Sequence, residues 1–183
     1  MKGDFQRRAL GRSELQSRTV DGKATQIFGY AAVFNSVANG EVIRPGAFTK
    51  TLSEHPDVKA YWNHDSSMVL ARTSNGTLTL REDGKGLYCE LTPNPDTSWG
   101  RDALAACARG DVKGMSFGFK IVKAGIITEG GEEITEILEV ALREVSPCAD
   151  PWYEATEVNV RKTASSVSLD ARRRELEILE LVM

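Results

Sequence analysis

Apolar and small positions alternate without a break across residues 114–121. Met115, Phe117, Phe119 and Ile121 fall on one side of a period-two strand, and Gly114, Ser116 and Gly118 fall on the other. The first side predicts a core face. The second is backbone with one hydroxyl between two residues that lack side chains. Glycine inside a strand weakens it and often marks a close approach by a ligand or another backbone. Ser116 is therefore a candidate nucleophile; the plainer alternative is an ordinary strand with a small polar residue toward solvent.

The pattern elsewhere is also mostly that of strands. Residues 27–34 form a mostly apolar run of strand length, followed by turn chemistry at 35–40 and a short strand at 41–44. Pro45-Gly46 leads into a short helix at 47–52, which has to stop by His55 because Pro56 disfavours helical geometry before it. Residues 58–65 alternate as a strand with Val58, Ala60, Trp62 and His64 on one face, and Asp65-Ser66-Ser67 reads as loop. Residues 77–81 and 86–91 predict a hairpin around Asp83-Gly84. The alanine-rich stretch 101–109 predicts a helix ended by Gly110. After the Ser116 strand, 125–133 predicts a turn region and 134–145 a long strand ended by Pro147.

Residues 155–168 have the composition of a polar linker, a flexible region or a self-cleavage region. Residues 169–183 predict a charged helix with Leu169, Leu176, Leu179 and Met183 near heptad spacing. That helix packs on the body, self-associates with another copy, or begins a longer tail. The expectation is a β-rich α+β single domain at 25–154 with short helices, an N-terminal segment at 1–24 leading into it, and the C-terminal helix beyond the linker.

Composition changes this picture little. With 183 residues, 41% hydrophobic and 27% charged, the chain has an ordinary globular balance. A net charge of −3 gives no nucleic-acid signature. No apolar run approaches the roughly 18 residues of a membrane span, so no membrane partner is expected. The basic residues near Met1 have no apolar stretch behind them and do not read as a secretory signal. Cys89, Cys107 and Cys148 are odd in number and widely spaced, which is neither a disulfide framework nor a metal pattern and fits a reducing compartment. Only His55 and His64 are available as imidazole ligands, which argues against zinc. No metal and no cofactor are expected.

A serine needs a base to act as a nucleophile at neutral pH. His64, closing a strand on the Trp62 face, suits that task better than His55, which sits in a loop beside Pro56. The alternative for His64 is a strand-end imidazole bonded to backbone. A carboxylate usually orients the base. In the strand at 138–145, Glu144 shares parity with the apolar Leu138, Val140 and Leu142, whereas Glu139 and Arg143 fall on the other face. A carboxylate on a core face needs a partner. An imidazole would serve, as would an arginine, and solvent beyond the core's end is the remaining alternative.

Five blocks occur in one order: Phe28-Gly29-Tyr30-Ala31-Ala32-Val33-Phe34-Asn35, Glu41-Val42-Ile43-Arg44-Pro45-Gly46-Ala47-Phe48, Trp62-Asn63-His64-Asp65, Gly114-Met115-Ser116-Phe117-Gly118-Phe119 and Arg143-Glu144-Val145-Ser146-Pro147. Over about residues 26–160 the chain resembles the prohead (capsid maturation) proteases of tailed bacteriophages. The resemblance implies a serine endopeptidase with an assemblin-like β-barrel core, related to the herpesvirus assemblin proteases. Such an enzyme works inside the procapsid in the host cytoplasm. It removes the scaffolding segment from the major capsid protein and also cleaves itself. The family's nucleophile matches Ser116, its histidine His64, and its acidic third member Glu144. Leu70-Ala71-Arg72 and residues 148–153 depart from the family pattern, so no cleavage specificity carries over.

The backbone around Ser116, at Gly114, Met115, Phe117 and Gly118, is the expected seat for an extended substrate. Two other readings compete. One is a non-catalytic capsid-assembly or scaffold protein with a protease-like fold. The other is a small-molecule ester or amide hydrolase. Against the latter, Gly114-x-Ser116-x-Gly118 matches the nucleophile-elbow spacing, but strand residues continue after it where the elbow requires a helix.

Overall fold

The computed structural model describes residues 6–8, 15–20 and 23–149. The linker expected at 155–168 and the helix expected at 169–183 lie outside the described residues. In chain order the elements are β1 (Gln6–Arg8), β2 (Leu15–Val20), β3 (Lys23–Val33), β4 (Glu41–Ile43), α1 (Thr49–Ser53), β5 (Lys59–Trp62), β6 (Asp65–Arg72), β7 (Leu78–Glu82), β8 (Gly86–Leu91), α2 (Ser98–Arg109), β9 (Gly114–Glu129) and β10 (Glu132–Cys148). A 3-10 turn, Thr73–Asn75, follows β6.

The fold is β-rich with few helices. One sheet runs β1-β9-β10-β5-β6, with β4 also paired to β10, and the other runs β2-β3-β8-β7. The first sheet is mixed: β10 is antiparallel to β9 and parallel to β4 and β5. The closed barrel expected from the resemblance is not found among the described residues; the path of the larger sheet ends at β1 and β6. A shared apolar cluster draws Ile27, Leu87 and Leu91 from the smaller sheet, Phe117, Phe119 and Val145 from the larger, and Ala103 and Leu104 from α2.

The core face of β9 follows its alternation. Met115, Phe117 and Phe119 have no exposed surface. Phe117 stacks on Phe119 at 4.8 Å between ring centroids and meets Phe48 edge-on at 5.7 Å. Each such side chain contributes about 1.5–3 kcal/mol relative to leaving it in water. These contacts fix which way β9 faces, and hence where Ser116 points.

Several boundaries differ from those the pattern predicts. The turn expected at 125–133 contracts to Gly130-Gly131, with φ of 63° and 85°. Glu129 and Glu132 pair directly across it, the geometry that favours glycine in a two-residue hairpin. The β-branched residues Ile126, Ile127 and Thr128 extend β9 up to that turn. Asp65-Ser66-Ser67 is not loop but the start of β6. Pro147 does not end β10, which continues to Cys148. Its carbonyl accepts from Asn63 N at 3.0 Å, so its missing donor also faces that side and not β9.

The most consequential difference is a register shift in β10. Leu142 opposes Phe119, yet Glu144 opposes Gly118. Arg143 is thus an extra residue, a β-bulge that reverses the facing of everything after it. Val145 opposes Phe117 on the core side and is fully buried. Glu144 and Ser146 are thrown to the other side, opposite Gly118 and Ser116. The parity that groups Glu144 with Leu138, Val140 and Leu142 therefore does not hold across the bulge. A second pair of irregularities around Glu139 leaves Leu138 only half-buried while Ile137 is fully buried.

Candidate active site

Three adjacent strands supply the site. β9 carries Ser116, β10 carries Glu144 and Ser146, and the turn leaving β5 carries His64. His64 is not a strand residue, as alternation suggested. Trp62 pairs with Asp65, and Asn63-His64 form the two-residue turn between them. Both have positive φ, 50° and 63°. That is the requirement of the hairpin turn whose twist matches the flanking strands. The left-handed region disfavours side chains, roughly 1–2 kcal/mol for an L-residue, and non-glycine residues held there cluster at functional sites. The bond from Asn63 N to the Pro147 carbonyl ties the turn to β10, two residues beyond Val145.

The turn aims the imidazole along the sheet. His64 Nδ1 lies 2.7 Å from Glu144 Oε1. The carboxylate is 2% exposed, and its other oxygen, Oε2, accepts from the Ser146 hydroxyl. A buried carboxylate is tolerated when donors satisfy it. With Nδ1 turned to Glu144, Nε2 is the ring nitrogen available for proton exchange.

Ser116 reaches the same face through register. It directly opposes Ser146, which stands two residues along β10 from Glu144. Only 3% of Ser116 is exposed, so the glycine-flanked strip is covered and not the open solvent face the alternation suggested. Gly114 and Gly118 are buried with it. Met115 and Phe117 present core side chains, so only their backbone could meet a ligand. That backbone is engaged on both edges at Phe117 and Gly118, which pair with β10 on one side and with β1 on the other.

Ser146 was not singled out in the sequence. The signal was its spacing of two from Glu144, which puts both on one strand face, but the expected strand end at Pro147 hid it. The cysteines offer no competing nucleophile in β8 or α2. Burial pushes the Cys107 thiol up to about 12 and moves Cys89 upward as well, so both stay protonated at neutral pH. Among the described residues, no group of three His, Cys, Asp or Glu side chains is gathered in a way that would hold a metal ion.

A family model described as caudovirus prohead serine protease matches residues 13–170. The prohead protease of Enterobacteria phage HK97 is 33% identical over 152 residues, covering 81% of this chain and 65% of the relative. The chain thus spans less than two thirds of that relative's length. Among solved structures, the capsid assembly protease of bacteriophage T4 aligns with a TM-score of 0.49 at 12% identity, over 81% of this chain and 99% of that one.

Proposed function

The chain belongs to the caudovirus prohead serine protease family, and from that premise we propose that it is a serine endopeptidase of capsid maturation. Its substrate is the scaffolding segment of the major capsid protein, cut within the procapsid in the host cytoplasm, and it also cleaves itself. The observation that carries this reading is the 2.7 Å contact between His64 Nδ1 and a buried Glu144, on the sheet face that also holds Ser116.

In this mechanism Ser116 Oγ attacks the scissile carbonyl carbon while His64 Nε2 takes the hydroxyl proton. The tetrahedral intermediate collapses, and the same proton passes to the leaving amine. Water then attacks the acyl-enzyme ester, giving a proton to His64 and ultimately restoring Ser116. Glu144 accepts the Nδ1 proton's hydrogen bond throughout, fixing the tautomer and stabilising the imidazolium. The developing oxyanion calls for backbone N–H donors.

The near-complete burial of Ser116 favours one other reading, a non-catalytic assembly protein that keeps the fold. Co-expression with the matching major capsid protein separates the two, with intact masses recorded for wild type and Ser116→Ala. Loss of a capsid segment with wild type alone supports the protease. Intact capsid protein in both, with particles still assembling, supports the assembly role. Cleavage that survives Ser116→Ala removes Ser116 as the nucleophile.

A further inference from the structure

Glu144 is held almost wholly out of water, and a polar group there needs hydrogen-bond partners. One oxygen faces His64 Nδ1, and the other accepts from Ser146. Ser146 is itself fully buried, stands on the same strand face and opposes Ser116. The terminal torsion of a glutamate is broad and two-fold, so packing alone sets it loosely. A hydroxyl fixed to Oε2 sets it closely. It also turns Oε1 toward the imidazole.

We infer that Ser146 is a positioning residue of this site: by donating to Glu144 it holds the carboxylate rotated so that His64 holds Nδ1–H toward Glu144 and Nε2 toward Ser116. The inference rests on the proposed roles of Ser116 and His64. The bulge at Arg143 is what makes it work, because if Arg143 were paired in regular register Glu144 and Ser146 would face the phenylalanine core.

The test compares purified wild-type chain, Ser146→Ala and Ser146→Thr on a peptide spanning a junction mapped by the co-expression experiment. The His64 ring resonances are followed by NMR across pH in the same proteins. Ser146→Ala is expected to lower kcat about tenfold, the size of one lost hydrogen bond to a charged group, with KM changed less than about twofold. The His64 ring resonances differ from wild type, because the ring has lost its fixed carboxylate partner. Ser146→Thr keeps the hydroxyl and returns kcat and the His64 resonances toward their wild-type values. In a Glu144→Gln background, Ser146→Ala has little further effect, since both act through one group.

An unchanged kcat and an unchanged His64 titration in Ser146→Ala overturn the inference. So do effects of Ser146→Ala and Glu144→Gln that multiply independently. If the peptide is cut equally well by Ser116→Ala, it is the protease assignment that has failed; the His64 titration then still decides whether Ser146 governs the Glu144–His64 pair.

Discussion

Two hairpin turns in this molecule are built to opposite ends. Between β7 and β8 the turn holds itself together. Asp83 Oδ1 accepts from the backbone of Lys85 at 2.9 Å and of Gly86 at 3.2 Å, and Oδ2 accepts from the Tyr30 hydroxyl at 2.9 Å and from Arg81 at 2.7 Å. Between β5 and β6 the turn places a histidine at a φ of 63°, where glycine would be easier, and sends its ring to a buried carboxylate. The first turn adds stability and carries no chemistry. The second accepts backbone strain in return for a fixed imidazole. Stability and function are therefore expected to separate cleanly when the two turns are mutated.

The largest effect is expected at the second turn and its partners. His64→Ala and Ser116→Ala should each lower kcat/KM by roughly 10³-fold or more, measured on the capsid junction peptide. Glu144→Gln should follow with a loss of about 10²–10⁴-fold through the wrong tautomer, mostly in kcat. Next comes the scaffold on which the comparison rests. Phe117→Ala removes the ring that stacks on Phe119 and meets Phe48, and should destabilise the fold by about 3–5 kcal/mol in urea unfolding.

Smaller effects sharpen the contrast. Asp83→Ala should cost about 1–2 kcal/mol with cleavage unchanged. Burial opposes ionisation of Asp83, but the backbone donors of Lys85 and Gly86, the Tyr30 hydroxyl and Arg81 outweigh it and hold the carboxyl below its ordinary value. Its folded value is thus the depressed one, so its contribution is present above the unfolded pKa of about 3.9 and is lost as pH falls through the folded value. Wild type and Asp83→Ala should converge in stability at that acid end. In a Glu144→Gln background, His64→Gly should raise the unfolding free energy by about 1 kcal/mol through relief of the left-handed conformation. A fall there would mean that the second turn is a structural feature like the first.

What could be read from the residues divides along the same line. Asp83-Gly84 and Gly110 announce their turns chemically, and the alternation of Met115, Phe117 and Phe119 fixes one buried face. Gly110 caps α2 at a φ of 85° and takes bonds to Ala106 and Cys107, a local device that needs no tertiary knowledge. The residues of the candidate site could be named from the sequence, but not their arrangement. Asn63-His64 lacks the glycine that marks a tight hairpin, so the alternation ran through it as strand. Glu144 does meet an imidazole, but by a route that parity denied. A single inserted residue, Arg143, reverses the facing of the strand, and bulges depend on the partner strand's register, which no local pattern carries. Ser146 was lost to the same cause, since Pro147 reads as a strand end until its carbonyl is seen bonded to the β5–β6 turn.

The most direct test of the central claim is covalent. A fluorophosphonate reacts with a serine whose proton is removed by a neighbouring base. Peptide mass mapping after labelling of wild type, His64→Ala and Glu144→Gln should place the adduct on Ser116 in wild type, sharply reduced in Glu144→Gln and absent in His64→Ala. An adduct on another hydroxyl, equal labelling of Ser116 in all three proteins, or capsid cleavage without any adduct would contradict it.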